Sequence, residues 1–332
     1  MAKVAINGMG RIGRATLKIL SDMPDLEIVA VNDLIPLDNI VYLLRYDTVY
    51  RRFAHTVHHE GDTLSIAGSA CRYFSEKDPA DLPWKELGID LVFECTGVFR
   101  QREGLQKHLQ AGAKQVLLSA PAKSEGIPFV VHGVNRAEEE AQMISCASCT
   151  TNCIAPVVEV VDREIGIRKA IMTTIHAYTA SQSLVDGPRN KWTRGRAAAA
   201  NFVPTSTGAA QATAKALPRM EGIFDGVAVR GPVPSGSLVD IVLLSKRRTT
   251  VDELNDLFRR EAAGDRYRGI LDIAEDPIVS SDVIQNPAAS VVDLTMTQVV
   301  DGDLVKIMSW YDNEWGYASQ MVREARRLLT RT

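Results

Sequence analysis

The sequence predicts an α/β protein of two units: a parallel sheet wound with crossover helices, then an α+β unit on a mixed or antiparallel sheet. Three observations predict it. In the first half, short β-rich runs alternate with helical patterns, the mark of a parallel sheet with crossover helices. After Cys149 the extended segments lengthen and few helices separate them, which suggests mixed or antiparallel pairing. Finally, 332 residues are too many for one small core, so two cores are expected.

In chain order, the strand candidates of the first half are Val4–Asn7, Glu27–Asn32, Asp90–Cys95, Gln115–Ser119 and Met143–Cys146. The helix candidates between them are Arg11–Asp22, Asp38–Leu44 and Glu103–Ala111. Alternation between Ala54 and Tyr73 reads as a hairpin inserted in the sheet. The second half predicts a helix over Thr150–Ile165, then extended segments at Lys169–Tyr178, Gly226–Val229, Leu238–Lys246, Ser290–Thr297 and Leu304–Tyr311. The aperiodic stretch Thr179–Asn201 reads as a long surface loop, and loops of that length are usually functional or part of an interface. Met321, Val322, Ala325, Leu328 and Leu329 share one helical face, so the final segment is a packing helix. The expected division is residues 1–148 with 313–332 as one domain and 149–312 as the other.

Hydrophobic residues at 45% and charged residues at 24% match an ordinary globular chain. A net charge of −3 gives no global basic field, so neither nucleic acid nor an anionic membrane is expected as the primary partner. The strand-like run Lys3-Val4-Ala5-Ile6 argues against a signal peptide, and no apolar run is long enough to span a bilayer. Five cysteines, three of them within eight residues, do not resemble a disulfide framework. Reduced thiols in a cytoplasm fit better.

The run Lys3–Asn7 leads into Gly8-Met9-Gly10-Arg11-Ile12-Gly13 and at once into a helical pattern. GxGxxG between a strand and a helix is the Rossmann-type dinucleotide signature: the glycines allow a tight turn and close approach of the pyrophosphate, which meets free N–H groups at the helix N-terminus. A second β-run ends in Val31-Asn32-Asp33, placing Asp33 to accept from ribose hydroxyls. Its carboxylate would repel a 2′-phosphate, favouring NAD over NADP. The bland alternative is an ordinary strand–turn–helix with an incidental acid.

The segment Ser145-Cys146-Ala147-Ser148-Cys149-Thr150-Thr151-Asn152-Cys153 sits where a strand ends and a helix begins. A cysteine there has its thiolate stabilised by the helix dipole. Three readings compete. A metal site has only three sulfurs and no nearby histidine; a buried cluster would pack the cysteines as small hydrophobes; and a nucleophile would have hydroxyls around it that can bind an anion. Spacing and chemistry alone do not choose among them.

Together NGMGRIGR and ASCTTNC resemble the phosphorylating glyceraldehyde-3-phosphate dehydrogenase family, and further similar segments run from Lys3 to about Tyr317. They include Thr96–Phe99, His176–Thr179, Arg194–Ala199, Pro204–Ala210 and Trp310–Tyr317. The resemblance implies a cytoplasmic homotetramer that oxidises glyceraldehyde 3-phosphate with NAD, captures the acyl group as a thioester and releases it to inorganic phosphate as 1,3-bisphosphoglycerate. It implies Cys149 as nucleophile and His176 as its base, paired as thiolate and imidazolium. By itself, a histidine between two β-runs is more often structural. The resemblance also implies a cofactor set of Gly8, Gly10, Arg11, Ile12, Gly13, Asp33, Lys77, Thr96, Ser119, Asn313 and Tyr317, with Asn313 on the nicotinamide amide. Thr179, Ser181 and Arg230 are implied for the substrate phosphate, and Ser148, Thr150, Thr207, Gly208 and Arg194 for the attacking ion. No metal is implied.

The chain departs from the family pattern in places. Cys146 stands where Asn is usual, Lys77 where Arg is usual, and Tyr50-Arg51 where His-Gly is usual. Arg230–Ser237 resembles only one branch, while Gly187-Pro188 keeps a proline associated with NAD preference. His55, His58 and His59 read as surface residues of the hairpin. Two rivals remain, an erythrose-4-phosphate dehydrogenase and a nucleotide-groove RNA-binding protein. Tyr178-Thr179 and PTSTGAA oppose the first; an intact Cys–His pair and mild acidity oppose the second.

Overall fold

Strand Ala2–Asn7 buries Val4, Ala5 and Ile6 completely, as a strand covered on both faces must. In the computed structural model, which describes residues 1–330, this strand lies inside an eight-stranded sheet. Its order is Met143–Ser145, Gln115–Leu118, Leu91–Glu94, Ala2–Asn7, Leu26–Asn32, Ser69–Phe74, Thr63–Ile66, Val57–Glu60. The first six pair in parallel and the last two antiparallel. The chain leaves the central strand toward Leu26–Asn32 and later returns on its other side at Leu91–Glu94. The carboxyl ends at Asn7, Asn32 and Glu94 therefore flank a topological switch point, where open α/β sheets bind ligands.

Helices Arg11–Leu20, Leu37–Arg45 and Arg102–Gln110 form within a residue or two of the expected ones. The hairpin expectation needs correction. It sits at the sheet edge, not inside the sheet, and a third strand, Ser69–Phe74, joins it to Leu26–Asn32. This first unit comprises Met1–His132, Arg136–Ala147 and the residues from Met321 onward.

The second unit comprises Gly133–Asn135 and Ser148–Gln320. Its mixed sheet runs Val203–Ser206, Phe224–Gly231, Ile167–Ala177, Ser237–Ser245, Leu304–Tyr311, Ser290–Asp293, Leu271–Ala274, with Gln298–Val300 also paired to Leu304–Tyr311. Helix Cys149–Glu164 buries Ile154, Val157, Val158 and Val161 in one core with Val239, Ile241, Val305 and Ile307 of the sheet. Two helices interrupt a region expected to be mostly extended: Ala209–Ala216 and Val251–Ala263. The second begins at Thr250, whose hydroxyl accepts from Glu253 N–H at 3.2 Å, a capping interaction written as S/T-x-x-E. The segment Thr179–Asn201 is a loop with two short turns of 3-10 helix, Trp192–Gly195 and Ala198–Ala200. Helix Trp315–Leu329 buries Met321, Val322 and Ala325.

Candidate active site

In the first unit, the turn after Ala2–Asn7 is shaped by glycine. Gly8 has φ +96°, and a Cβ there would press on the Thr96 backbone; a Cβ at Gly13 would overlap the Gly8 carbonyl. Gly10 precedes helix Arg11–Leu20 with no side-chain cap, so the first N–H groups of the helix remain available to an anion. Asp33 closes the turn, accepting from Met9 N–H at 2.5 Å and Ile35 N–H at 3.0 Å.

A cavity of about 720 Å³ opens beside these residues, lined by Gly8, Gly10, Asp33, Lys77, Thr96 and Phe99 among others. Its glycine cradle, uncapped helix start and acidic residue at the second strand's end fit a dinucleotide. Arg11 turns its guanidinium away, onto Asp47 at 2.5 Å and over the Tyr50 ring. Its backbone, with that of Ile12, is what faces the turn's helix start. Ser119 is half-buried beyond the cavity lining, its N–H bonded to Glu94 O at 3.0 Å. Tyr50, at the position departing from the family pattern, is buried under Arg11, and Arg51 takes φ +62°. The surface reading of the hairpin histidines fits His55 and His59, which bond exposed Asp22 and Asp38, and His58 is exposed.

In the second unit, helix Cys149–Glu164 starts at Ser148, whose Oγ accepts from Thr151 N–H at 3.1 Å. This N-cap sets Cys149 in the first turn. The Cys149 Sγ lies 3.4 Å from His176 Nε2. His176 ends strand Ile167–Ala177, and the parallel register pairs it with Arg230 on Phe224–Gly231. Arg230 Nη1 donates to His176 Nδ1 at 2.5 Å and to Ala177 O at 3.0 Å, while Nδ1 itself is 2.7 Å from Ala177 O. Arg230 Nε is buried without a partner.

The electrostatic surroundings of this pair oppose the expected thiolate and imidazolium. Cys149 keeps part of its surface exposed, yet burial of its surroundings pushes the thiol up. The Arg230 charge, the Thr150 hydroxyl and N–H groups of the helix start oppose that shift without overcoming it. His176 is held down at about 3, first by burial and then by Arg230, with Arg194 adding to it and Ala177 O opposing it. Both directions oppose the thiolate–imidazolium ion pair, and burial is the first cause of each. Helix position alone did not determine them.

Two phosphate-binding groups were expected. Thr179 Oγ1 and Ser181 Oγ are 2.8 Å apart, and Arg194 Nη1 donates to Ser181 Oγ at 3.4 Å. Arg194 also holds Thr205 Oγ1 at 3.0 Å and acts electrostatically on both His176 and Arg230. The structure thus links Arg194 to Thr179 and Ser181, residues assigned to the other phosphate. Ser148 Oγ accepts from the helix start, Thr207 Oγ1 accepts from Ala209 N–H at 3.1 Å ahead of helix Ala209–Ala216, and Gly208 has open space around its α-carbon. Thr150 is buried, with its Oγ1 on Tyr311 Oη at 2.9 Å, so its backbone is the part left for an ion. Asn313 is buried, its Oδ1 accepting from Ser237 Oγ at 2.8 Å, and Tyr317 is also buried. Cys153 is wholly buried between Ser290 Oγ and Ser309 O, and burial pushes it to about 12. Cys146 is likewise buried, near Glu324 and Arg327.

The model "Glyceraldehyde 3-phosphate dehydrogenase, NAD binding domain" matches residues 2–102, and "Glyceraldehyde 3-phosphate dehydrogenase, C-terminal domain" matches 148–313. The chain is 48% identical to glyceraldehyde-3-phosphate dehydrogenase 2 of Streptomyces avermitilis, over 96% of each. It is 46% identical to the Thermotoga maritima glyceraldehyde-3-phosphate dehydrogenase over 99% of each. The chain belongs to the glyceraldehyde-3-phosphate dehydrogenase family. Glyceraldehyde-3-phosphate dehydrogenase A, chloroplastic, of Zea mays is also similar, 46% identical over 96% of this chain and 80% of its own. Membership gives an NAD-binding domain, not the choice between NAD and NADP.

The site contains one residue that the sequence analysis did not single out. Tyr311 Oη joins Thr150 Oγ1 and Thr174 Oγ1, each at 2.9 Å. Inward residues of Leu304–Tyr311 alternate as Val305, Ile307, Ser309 and Tyr311, a pattern that would have marked it. Among the described residues no helix is long and apolar enough to cross a membrane, and no group of three or more His, Cys, Asp or Glu is placed to hold a metal.

Proposed function

We infer that the chain is a phosphorylating glyceraldehyde-3-phosphate dehydrogenase, converting glyceraldehyde 3-phosphate and inorganic phosphate to 1,3-bisphosphoglycerate with NAD. The observation carrying this reading is the Cys149 sulfur 3.4 Å from the His176 ring, beside Arg230, in a chain of this family. Cys149 attacks the aldehyde carbon, and the developing oxyanion meets the Cys149 N–H and His176. When bound, the nicotinamide supplies the acceptor for the hydride. His176 takes the hydroxyl proton of the hemithioacetal as the carbonyl reforms, leaving a thioester on Cys149. Inorganic phosphate then attacks that carbonyl, and the sulfur leaves. Arg230, with Thr179 and Ser181, holds the substrate phosphate; Arg194, Ser148, Thr150, Thr207 and Gly208 serve the attacking ion. A Cys149→Ser variant assayed beside wild type should form no NADH from these substrates. Retained turnover would remove the nucleophile.

For the cofactor, Gly8, Gly10, Gly13, Arg11 and Ile12 receive the pyrophosphate, Asp33 the adenosine ribose, Lys77 lies near the adenine, and Thr96 and Ser119 complete the binding set. Asn313 and Tyr317 serve the nicotinamide. Asp33 selects NAD over NADP by charge repulsion, and equal kcat/KM for the two would overturn that preference.

Residues 1–148 with 313–332 act as the cofactor domain and 149–312 as the catalytic domain. The chain works as a cytoplasmic homotetramer. In keeping with an interface at the Thr179–Asn201 loop, Trp192 is 88% exposed and Leu184 81%, and Phe202 just after it is 72% exposed. Five free cysteines, three of them buried, fit a reducing compartment. Light scattering of the purified protein tests the assembly; a monomer would end it.

A further inference from the structure

Ser237 opens strand Ser237–Ser245 opposite Tyr311 and is wholly buried. Among the described residues its Oγ has two hydrogen-bond partners: Ala177 N–H at 3.1 Å and Asn313 Oδ1 at 2.8 Å. A serine hydroxyl carries one hydrogen, and the Ala177 N–H can only donate. Asn313 therefore has to accept that hydrogen. Turning its NH₂ toward Ser237 instead would bury a hydroxyl hydrogen with no acceptor. The carboxamide is held one way round, with Oδ1 spent on Ser237. Asn313 is 5% exposed, and among the described residues its Nδ2 has no hydrogen-bond partner. A nearly buried donor, fixed in direction and unmatched, is where a ligand acceptor belongs.

The backbone of Asn313 is fixed as well. Asp312 is wholly buried, and its Oδ1 accepts from Ser235 Oγ at 3.1 Å and from Glu314 and Trp315 N–H at 2.9 and 3.0 Å. Between the two serines Gly236 has φ +83°, and a Cβ there would lie 2.0 Å from Ser280 O. We propose that Ser237 is a positioning residue for the nicotinamide: it presets Asn313 as a hydrogen-bond donor, so that the protein reads the oxygen of the cofactor's carboxamide and not its amino group. Through Ala177 N–H the same hydroxyl ties that donor to the residue following His176. This rests on Asn313 being the residue that meets the nicotinamide.

Calorimetric dissociation constants, measured without aldehyde, read the binding step alone. The ligands are NAD, ADP-ribose, which lacks the nicotinamide, and 3-acetylpyridine adenine dinucleotide, which keeps the carbonyl oxygen but has methyl for the amino group. Wild type should bind NAD and the acetylpyridine analogue within about threefold of each other, since no hydrogen bond is lost. A preference of about tenfold for NAD overturns the proposal, because Asn313 would then be accepting from the amino group. This comparison needs no variant. Ser237→Ala should weaken NAD and the analogue about fivefold to tenfold, close to one hydrogen bond, and leave ADP-ribose unchanged. Equal weakening of all three ligands overturns the positioning role, since it reports only a disturbed fold. Undiminished NAD binding in Ser237→Ala, with Asn313→Ala impaired, overturns the part of Ser237 alone. If Asn313→Ala also binds NAD as wild type does, the assignment of Asn313 to the nicotinamide falls, and the proposal with it.

Discussion

The ring of Tyr311 meets the imidazole of His176 edge to face, with centroids 5.9 Å apart and planes at 79°. Its hydroxyl ties Thr150, in the first turn of the nucleophile's helix, to Thr174 on the histidine's strand. One buried phenol therefore fixes the relation between the two elements that carry Cys149 and His176. Tyr311→Phe keeps the ring and removes the tie, leaving the Thr150 hydroxyl buried without that partner. We expect a loss of about 1–3 kcal/mol of stability and a severalfold fall in kcat with KM little changed. Urea unfolding and steady-state kinetics check both; an unchanged kcat would show that Tyr311 does not position the pair.

What the sequence made legible was local. The strand–glycine–helix run at Lys3–Leu20 and the helix start at Cys149 are each decided by neighbours in the chain. The third strand at Ser69–Phe74 was hidden because only Ala67-Gly68, at φ +52° and +85°, turns the chain, without the usual Asn-Gly signal. Tyr311 was hidden because its partners lie more than 130 residues away. The electrostatic setting of Cys149 and His176 was hidden for a similar reason. It depends on burial and on Arg230, which the parallel register carries beside His176.

Acid should weaken the ligand-free protein through His176. Its folded pKa of about 3 lies below the ordinary 6.5, so as pH falls the unfolded chain takes up the proton first. The stability contributed by this residue is complete above 6.5 and lost progressively between 6.5 and about 3. Urea midpoints measured across that window should fall more steeply for wild type than for His176→Asn. Equal slopes would contradict a neutral buried ring.

The five thiols should differ sharply in reactivity. Burial pushes Cys71, Cys95 and Cys153 to about 12 and Cys146 well above the ordinary thiol range. Cys149 is raised as well, but helix N–H groups and Arg230 oppose its shift and it retains exposure. Iodoacetamide at mildly alkaline pH should give one adduct per chain, at Cys149, by peptide mass mapping. Comparable labelling of Cys95 would contradict the ranking.

A methyl group at Gly13 tests the helix–turn contact. The added Cβ would overlap the Gly8 carbonyl, so helix Arg11–Leu20 must move off the turn. Gly13→Ala should cost about 1–3 kcal/mol through overpacking and raise KM for NAD more than it lowers kcat. A variant with wild-type KM would show that the turn's shape is not what the dinucleotide reads.

Beneath the same turn, Glu94 and His108 are both wholly buried, with Oε2 and Nε2 3.0 Å apart. Trp84 Nε1–H donates to His108 Nδ1 at 3.0 Å, which leaves the proton on Nε2 to be donated to Glu94. Asn7 Nδ2 adds a second bond to that oxygen at 2.6 Å, and Thr96 N–H reaches the other oxygen at 2.8 Å, joined by the Thr96 hydroxyl. Four donors converge on one carboxylate, so its charge is matched on every side and the Asn7 and Thr96 walls of the cavity are tied to each other. Glu94→Gln preserves the shape but turns an NH₂ toward at least one of those donors. The cost should be about 1–3 kcal/mol or more, since a group bonded to a charge loses its partner. Because Asn7 and Thr96 line the cavity, KM for NAD should rise while Cys149 labelling is unaffected. Calorimetric binding of NAD together with thermal unfolding separates the two effects, and unimpaired binding in a destabilised variant would confine Glu94 to a purely structural part.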